Sequence, residues 1–550
     1  MHQFADLILS HAVVYTLAAD RPWARELAVR DGRILAVGGA GELERYRGPA
    51  TTVRDLHGSF VQPGFVDVHN HHALAGRAEL FELTLPAGAG LPELLDAVRD
   101  YASTLPAGAW VTGSSWSSAL IGELHNDSAR HQLDLASAGH PVLLSDDSRH
   151  NRWVNGLALE LAGIDRTTPD PAGGQIVHDP VSGEPSGLLL EAAGLIVEQV
   201  ASAADPLTPE QHVRASSRAI EILHSYGVTA FQDAGVSVDI MRSLKSLDDA
   251  GQLSAWVVSS LLLNDQIFGF QPIGAQLLEL AADFRSPHHR TDFVKIFLDG
   301  VPPAHTAAFL QPYQPDPQHG AHFCGAMTMS AADLLDQLRT AASAGFSAKI
   351  HCTGDASVRA VLDAVAVLRG EGFRDTRFQV AHGQFVAPAD IARFGELGVS
   401  ADISPFIWVP GVIPEAIAEV LPADRAARMQ PNRSLLDSGA LVAGGSDWPV
   451  SESPNAWEGI QGLVTRMDPS GARTGTLWAE QAITVEEAIA VFTSNGARAM
   501  GIDDVTGSLR PGLSADLIVL DRNPFEVAVD TLADTRIRET IFAGATVFES

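Results

Sequence analysis

The run Phe65–His72 combines apolar strand-forming residues with three histidines. Successive side chains of a strand point to opposite faces, so His69 and His71 face the same way at the C-terminal end of a predicted strand. Two imidazoles held two residues apart on a rigid strand supply half of a metal site. A histidine-rich surface loop is the alternative interpretation of this run alone. His72 alternates away from His71, and we do not expect it to bind a metal.

Four further polar residues, Lys295, His351, His382 and Asp447, end later predicted strands. Taken singly, a strand histidine is more often a core residue, and an aspartate at a strand end is often a helix cap. If the strands form a barrel, these residues and the histidine pair converge on one cavity, because the active face of such barrels is the C-terminal one. The sequence therefore predicts a metal site at that face.

Lys295 is one of only three lysines in the chain, and it lies in an otherwise apolar strand. A buried ammonium is costly unless it is paired or loses its proton. A neutral amine can react with CO2 to give a carbamate, an anionic ligand able to bridge two metal ions. The alternative is an ion pair with a carboxylate such as Asp299. Lys349, two residues before His351, is a competing candidate for the carbamate.

The elements that would position these residues alternate between strands and helices through the middle of the chain. This rhythm favours an α/β fold with a (β/α)8 TIM-type barrel. Predicted helices include Pro209–Tyr226, Ala331–Ala344 and Ala356–Gly370. The eight predicted barrel strands are Phe65–His71, Val228–Asp233, Ala255–Leu261, Phe293–Leu298, Phe346–Cys352, Phe378–His382, Val399–Ile403 and Leu441–Ser446.

Three predicted units follow from this pattern. The barrel comprises residues 61–76 and 216–497. Residues 77–215 form an inserted subdomain that walls the active site and has its own strand, Pro141–Ser145. Residues 1–60 and 498–550 form one discontinuous β-sandwich, since a small sheet from either end alone would bury little. Its predicted strands are Asp6–Leu9, Glu26–Val29, Arg33–Val37, Ala515–Leu520, Ile537–Phe542 and Gly544–Phe548, with a hairpin turn at Asp31-Gly32.

Composition narrows the function classes. The 550 residues carry a net charge of −30, which argues against nucleic acid or an anionic membrane surface as a partner. The two cysteines, Cys324 and Cys352, exclude a disulfide framework and a thiolate zinc site, so a metal would be held by histidine and carboxylate. We see no signal peptide and no membrane-spanning run, and expect a cytoplasmic enzyme. A homodimer stays open as an alternative to a monomer.

An ordered set of motifs resembles the amidohydrolase 3 family of the amidohydrolase superfamily, which includes enzymes that deformylate N-substituted formamides. The resemblance covers nearly the whole chain, and Cys352-Thr353 departs from the small or aliphatic residues usual in relatives. The matching stretches are Pro63–His71, Gly139–Leu144, His150–Asn155, Tyr226–Asp233, Asp299-Gly300, His351–Asp355, Ala381–Gln384, Gly445–Pro449 and Ser508–Leu517.

The resemblance implies a metal-dependent hydrolase of non-peptide C–N bonds, with zinc as the expected metal and manganese or iron as alternatives. Asp447 would also act as general base and acid, and His150 would contact the substrate or its oxyanion, with a structural role as the alternative. One or two metal ions, and a free or carboxylated Lys295, stay open. The implied ligands are His69, His71, Lys295, His351, His382 and Asp447.

The predicted substrate wall is aromatic, with Trp116 and Trp153 from the insertion and His305 and Tyr313 from the loop Asp299–Gly325, which is long enough to be a lid. Such a wall favours an apolar N-substituent, as in an aryl or benzyl formamide or another N-acyl amine.

Several alternatives stay open beside this amide hydrolase. An N-acyl amino acid, its carboxylate held by Arg149 or Arg152, is the nearest. Deamination of a heterocycle and hydrolysis of a cyclic amide, a lactone or a carbamate could use the same metal site. A metal-binding regulator without turnover is a different class, against which the intact Asp447 argues.

Overall fold

The structure, a computed structural model, describes residues 4–85, 88–407 and 409–550. The strands in this part of the chain are β1 (Leu7–Ser10), β2 (Val13–Tyr15), β3 (Trp23–Ala24), β4 (Glu26–Arg30), β5 (Arg33–Gly38), β6 (Thr52–Asp55), β7 (Phe60–Pro63), β8 (Phe65–Asn70), β9 (Leu83–Thr84), β10 (Val111–Trp116), β11 (Val142–Asp146), β12 (Asn151–Val154), β13 (Gly174–His178), β14 (Pro185–Glu191), β15 (Val228–Val236), β16 (Trp256–Leu262), β17 (His289–Phe297), β18 (Ser347–Cys352), β19 (Phe378–His382), β20 (Val399–Ile403), β21 (Leu441–Gly444), β22 (Leu517–Leu520), β23 (Ile537–Phe542) and β24 (Ala545–Glu549).

The α-helices of the same residues are α1 (His72–Phe81), α2 (Leu91–Ala102), α3 (Ile121–Leu124), α4 (Asp127–Ala136), α5 (Gly156–Ala162), α6 (Gly194–Ala204), α7 (Pro209–Ser225), α8 (Val238–Asp249), α9 (Ala275–Leu280), α10 (Ala331–Ser343), α11 (Asp355–Gly370), α12 (Ile391–Leu397), α13 (Val412–Val420), α14 (Ala423–Ala426), α15 (Asn432–Asp437), α16 (Ala456–Thr465), α17 (Val485–Val491) and α18 (Ser494–Met500). Among them, no helix combines the length and apolar character needed to cross a membrane.

Eight parallel strands form a nearly closed barrel, which confirms the predicted (β/α)8 fold. The sheet runs from β8 through β15 to β21 in sequence order, and each strand pairs with the next. The two ends of the sheet meet just beyond β21, where the backbone N–H of Asp447 donates to the carbonyl of His69 at 2.6 Å. The first and last barrel strands are thereby joined beside the predicted site.

The barrel strands are buried on both faces, as expected for parallel strands covered by helices. Every residue of β8, β15, β19 and β20 is buried. The helix α7 begins at a capping box, in which Thr208 and Gln211 satisfy each other's backbone N–H groups. Helices of this kind pack their apolar faces on the outside of the barrel, and one large hydrophobic cluster connects them to the strands.

Closure of the barrel requires a glycine at position 445. A Cβ added there would lie 2.6 Å from the backbone nitrogen of His69. Behind this contact, the Asp67 carboxylate accepts hydrogen bonds from the Ser446 backbone N–H at 2.9 Å and hydroxyl at 2.6 Å. Backbone from the two ends of the barrel therefore approaches closely at this point, which fixes His69 against the segment that carries Asp447.

The insertion folds around a mixed six-stranded sheet in the order β13-β14-β12-β11-β10-β9. The strand predicted at Pro141–Ser145 is β11 of this sheet. Helices α2 and α4 cover it and share a hydrophobic cluster with Trp116 and Trp153.

Strands from both ends of the chain form one common sheet. This sheet has the order β24-β23-β22-β7-β2-β3, and β7 pairs with β22 across almost the whole length of the chain. A second sheet, β5-β4-β1-β6, shares a hydrophobic cluster with the first. Residues 1–3 of the predicted terminal unit lie outside the described residues.

Candidate metal centre

Five of the six predicted ligands crowd together at the C-terminal ends of the barrel strands. The Oδ1 atom of Asp447 lies 3.6 Å from the Nε2 atoms of both His69 and His71. The Nδ1 atom of His382 lies 3.8 Å from Oδ2 of the same aspartate, and the rings of His351 and His382 are 4.6 Å apart. All five side chains are buried. The strand ends therefore gather three imidazoles around one carboxylate, and His351 lies beside the third of them, His382.

These residues fit a divalent metal. His69 donates from Nδ1 to Asp402 at 2.8 Å, and its Nε2, buried and without a hydrogen-bond partner among the described residues, presents a lone pair toward Asp447. Ligand atoms of His69, His71 and Asp447 lie within 4.8 Å of one another. Neutral imidazoles and a carboxylate are donors that zinc and other first-row divalent metals accept. Burial lowers the pKa of both histidines well below the usual value, so both are neutral.

His351 and His382 contribute further donors. The Nε2 atom of His351 lies 3.1 Å from the Gly300 carbonyl, an acceptor only, so this nitrogen carries the proton and Nδ1 keeps its lone pair. His382 and Asp447 both have left-handed backbone conformations, with φ of 68° and 57°. Non-glycine residues rarely adopt such angles, and they concentrate at functional sites.

Lys295 is buried at the same strand ends without an ion-pair partner among the described residues. Its Nζ lies 4.7 Å from the ring centre of Phe297. Burial, followed by the charge of nearby Lys349, lowers the pKa of Lys295 to about 7. The alternative partner, Asp299, instead accepts hydrogen bonds from the backbone N–H groups of residues 308, 353 and 354 and from Ser357.

Lys349 has a different environment from Lys295. Its ammonium donates to Asp402 and to the Val68 carbonyl, the latter at 2.9 Å. Asp402 therefore accepts hydrogen bonds from both His69 and Lys349, and this buried carboxylate links the two side chains. Sequence reasoning missed Asp402 because an aspartate inside a strand has no local signal for its partners. Of the two buried lysines, Lys295 is the one without a carboxylate partner.

His72 and His150 have their own carboxylates. His72 begins α1, and its Nδ1 pairs with Asp233 at 2.5 Å; the other oxygen of Asp233 lies 4.0 Å from Nδ1 of His71. His150 Nδ1 lies 2.7 Å from Glu191, and its ring is 5.2 Å from that of His351. Burial lowers the pKa of His150, but the attraction of Glu191 outweighs it, and the net shift is upward.

A cavity opens onto the candidate metal ligands and His150. Its wall is mainly apolar, with Ile267, Phe268, Phe297, Pro302, Ile407 and Ile413. Sequence reasoning missed most of this wall, because its residues lie in loops and in α13, where hydrophobic residues give no sign of what they face.

A family model described as "Amidohydrolase family" matches residues 52–548, which include the barrel and the candidate ligands at its strand ends. The chain belongs to the amidohydrolase family. It is accordingly a hydrolase, as predicted. The N-substituted formamide deformylase of Arthrobacter pascens is 30% identical, over 100% of this chain and 99% of that protein. Protein LONG AFTER FAR-RED 3 of Arabidopsis thaliana is 30% identical, over 95% of this chain and 88% of that protein.

The fold is also that of solved structures. An uncharacterized metal-dependent hydrolase from Pyrococcus horikoshii OT3 superposes with a TM-score of 0.73 at 24% identity, covering 95% of this chain and 99% of that one.

The four predicted aromatic substrate contacts of this amidohydrolase lie away from the cavity wall. Trp116 donates from Nε1 to the Leu144 carbonyl, and Trp153 is fully buried in the same cluster of the insertion. Large rings of this kind stabilise the core of the subdomain. His305 and Tyr313 pack against each other in the loop after β17, with ring centres 4.8 Å apart and planes tilted by 34°. Substrate contact by these four residues stays a prediction without support from their positions.

Proposed function

We propose that this amidohydrolase hydrolyses the C–N bond of an N-substituted formamide or another N-acyl amine, with zinc as the metal. The observation that carries the proposal is the position of Asp447. One of its oxygens is equidistant from the two histidine Nε2 atoms, and the other faces His382. Burial raises the pKa of Asp447 to about 7, although the charge of Lys295 opposes the shift. A carboxylate with such a pKa can accept and return a proton at neutral pH.

The reaction consumes one water and yields a carboxylic acid, formic acid for a formamide, and an amine. A bound divalent metal would supply Lewis acidity toward the water and the substrate carbonyl. Asp447 takes one proton from the attacking water and later gives it to the leaving nitrogen as the C–N bond breaks. His150, raised in pKa by Glu191 and lining the cavity, donates a hydrogen bond to the carbonyl oxygen as negative charge develops on it.

The ligand set supports zinc, since histidine nitrogens and a carboxylate oxygen are its usual donors when thiolates are absent. The lowered pKa of Lys295 supports a carbamate there and hence a two-metal centre. The apolar wall around Phe268 supports an apolar N-substituent, in line with the formamide deformylase to which the chain is similar.

A substrate panel tests the proposal. N-benzylformamide and an aliphatic N-alkylformamide should release formate, with faster turnover for the benzyl compound, and lactones or heterocyclic amines should react much more slowly. Asp447→Asn should lower kcat by about 10²- to 10⁴-fold. Asp375→Asn, at an exposed position, is the matched control. Full turnover by Asp447→Asn with metal bound would remove Asp447 from its role, and turnover of lactones alone would reject the substrate class.

A second candidate, an N-acyl amino acid, is favoured by Arg149. This side chain is only 8% exposed, lines the cavity and has no hydrogen-bond or ion-pair partner for its guanidinium among the described residues. Arg152 instead pairs with Glu198 at 2.6 Å and with the Ile267 carbonyl at 2.5 Å. A buried charge without a partner is costly, so a substrate carboxylate would stabilise Arg149.

Kinetics with two types of substrate distinguish the two candidate functions. We expect Arg149→Met to raise KM for N-formyl amino acids by 10-fold or more while leaving KM for N-benzylformamide near its original value, if the amino acid is the true substrate. Equal effects on both compounds would reject carboxylate recognition by Arg149.

A further inference from the structure

A second group of metal-binding side chains lies outside the barrel strands, in the loop between β17 and α10. His305, Asp316 and His319 face one another there, with their ligand atoms within 4.8 Å. The Nε2 atom of His305 lies 3.7 Å, and the Nδ1 atom of His319 2.9 Å, from the same Oδ2 of Asp316. We propose that these three residues form a separate, structural site for a divalent cation of the zinc class, which we call the loop site.

The distances suit such a cation. Zinc binds histidine nitrogen and carboxylate oxygen at about 2.0–2.2 Å, so two ligands of a tetrahedral site lie about 3.3–3.5 Å apart. The two observed separations from Asp316 lie on either side of that value. On binding, the cation would replace the contact between His319 and Asp316. Three protein ligands leave a fourth position for water.

The two carboxylate oxygens of Asp316 have different partners. Oδ1 accepts hydrogen bonds from the backbone N–H groups of Gln318 at 2.8 Å and His319 at 2.9 Å, which closes the turn. Oδ2 faces the two imidazoles. The turn therefore forms without a cation, and the oxygen that would bind one is already oriented by it.

Aromatic neighbours hold the two imidazoles in place. The rings of His305 and His319 stack at 4.7 Å with an interplanar angle of 17°. Tyr313 packs against His305 with ring centres 4.8 Å apart, and Phe323 packs against His319 at 4.5 Å. Fixing ligands before binding reduces the conformational entropy lost when a cation arrives.

The loop site is accessible from solvent. The side chains of His305, Asp316 and His319 are 19%, 29% and 21% exposed, so a cation can reach them without unfolding.

The loop site is linked to the catalytic cavity through the next residue. Thr306 donates to Glu191 Oε1 at 2.6 Å, and the other oxygen of Glu191 lies 2.7 Å from His150 Nδ1. A cation that fixes His305 would therefore fix the segment that holds Glu191 and His150. The role of the loop site is to order this loop, and it does not depend on which substrate the enzyme cleaves.

Zinc stoichiometry tests the loop site. The full-length protein is stripped with a chelator, titrated with Zn²⁺ by calorimetry, and its zinc content is measured after gel filtration. We expect His305→Ala and His319→Ala each to bind one zinc fewer per chain than the original protein. His322→Ala is the matched control, because this exposed histidine lies in the same loop outside the cluster. It should keep the full content.

Equal zinc content in all four proteins would overturn the proposal, and so would a loss in His322→Ala equal to that in His319→Ala. Limited proteolysis provides a second measurement. Zinc should slow cleavage of the loop in the original protein and in His322→Ala but not in His319→Ala. Because His319→Ala leaves the turn hydrogen bonds of Asp316 to the backbone in place, its metal-free cleavage rate should match that of the original protein.

Discussion

Asp402 and His69 form a buried pair, with the carboxylate Oδ2 2.8 Å from the imidazole Nδ1. The same oxygen also accepts from Lys349. This pair fixes the tautomer of His69, so that Nε2 faces the metal centre. Partners of this kind orient a metal ligand and raise its basicity.

Asp402→Asn should weaken metal binding, since an amide can hold the shape of the site but not the charge that balances Lys349. We expect metal affinity or kcat/KM to fall by about 10- to 100-fold. Metal content after dialysis against a weak chelator measures the metal affinity, and steady-state kinetics measure kcat/KM. Unchanged metal affinity in a folded variant would mean that Asp402 serves only to neutralise Lys349.

Lys295→Ala should reduce the number of metal ions bound at the strand ends. If a carbamate on Lys295 bridges two ions, content should fall from about two per chain to one or none. Lys245→Ala is the control, since this lysine pairs with Asp249 on the surface of α8. An unchanged content of one metal would indicate a mononuclear centre with Lys295 in another role. Zinc at the loop site is subtracted by making both variants in the His319→Ala background.

Gly445→Ala should destabilise the protein and impair its metal centre together. The new methyl group would overlap the backbone of His69, and overpacking of this kind costs about 1–3 kcal/mol. Gly370→Ala at the end of α11 is the control, because a Cβ there meets no atom within 4 Å. The melting temperature and the metal content should both fall in Gly445→Ala and should stay unchanged in Gly370→Ala. A normal melting temperature for Gly445→Ala would show that the barrel end can widen.

Acid should destabilise the protein partly through His224, whose Nε2 donates to the Ser254 carbonyl at 3.0 Å. Burial lowers the folded-state pKa of His224 from 6.5 to about 4. Between pH 6.5 and pH 4 the imidazole binds a proton in the unfolded chain but not in the folded chain. The contribution of His224 to the free energy of unfolding is therefore fully present above pH 6.5 and is lost as the pH falls toward 4. The full loss is about 3 kcal/mol.

His224→Gln removes the titrating imidazole, while the glutamine amide can still donate a hydrogen bond to the Ser254 carbonyl. Melting temperatures at pH 7.5 and 5.0 measure the effect. The variant should be somewhat less stable at pH 7.5 but should lose less on acidification than the original protein. Parallel losses in both proteins would assign the acid sensitivity to other groups, such as His289, whose pKa burial also lowers to about 4.

The barrel could be predicted because each strand is a short apolar run between helical segments, and the polar residues that end those runs lie on one face by topology alone. Strand limits were less accurate. β17 begins at His289, four residues before the predicted start, because His289–Asp292 is polar in sequence yet pairs with Val257 and Val258. Local composition does not show which polar residues a neighbouring strand will cover.

The substrate wall could not be predicted in the same way. Trp116 and Trp153 gave the strongest aromatic signal in the insertion, but burial of large rings in a subdomain core gives the same signal. The contacts of Asp402 with His69 and Lys349 could not be predicted either, because Lys349 and Asp402 lie on β18 and β20. These strands are separated in the sheet by β19. Contacts across a barrel interior depend on its curvature, which no single segment encodes.

The hydrogen bond between Asp447 and His69 joins the first and last strands of the barrel, and β7 beside them pairs with β22 near the end of the chain. During synthesis on the ribosome, the metal ligands of the first strand therefore emerge long before the aspartate that completes their site. A chain that stops before Asp447 therefore lacks both the carboxylate of the candidate site and the backbone N–H that joins the last barrel strand to His69.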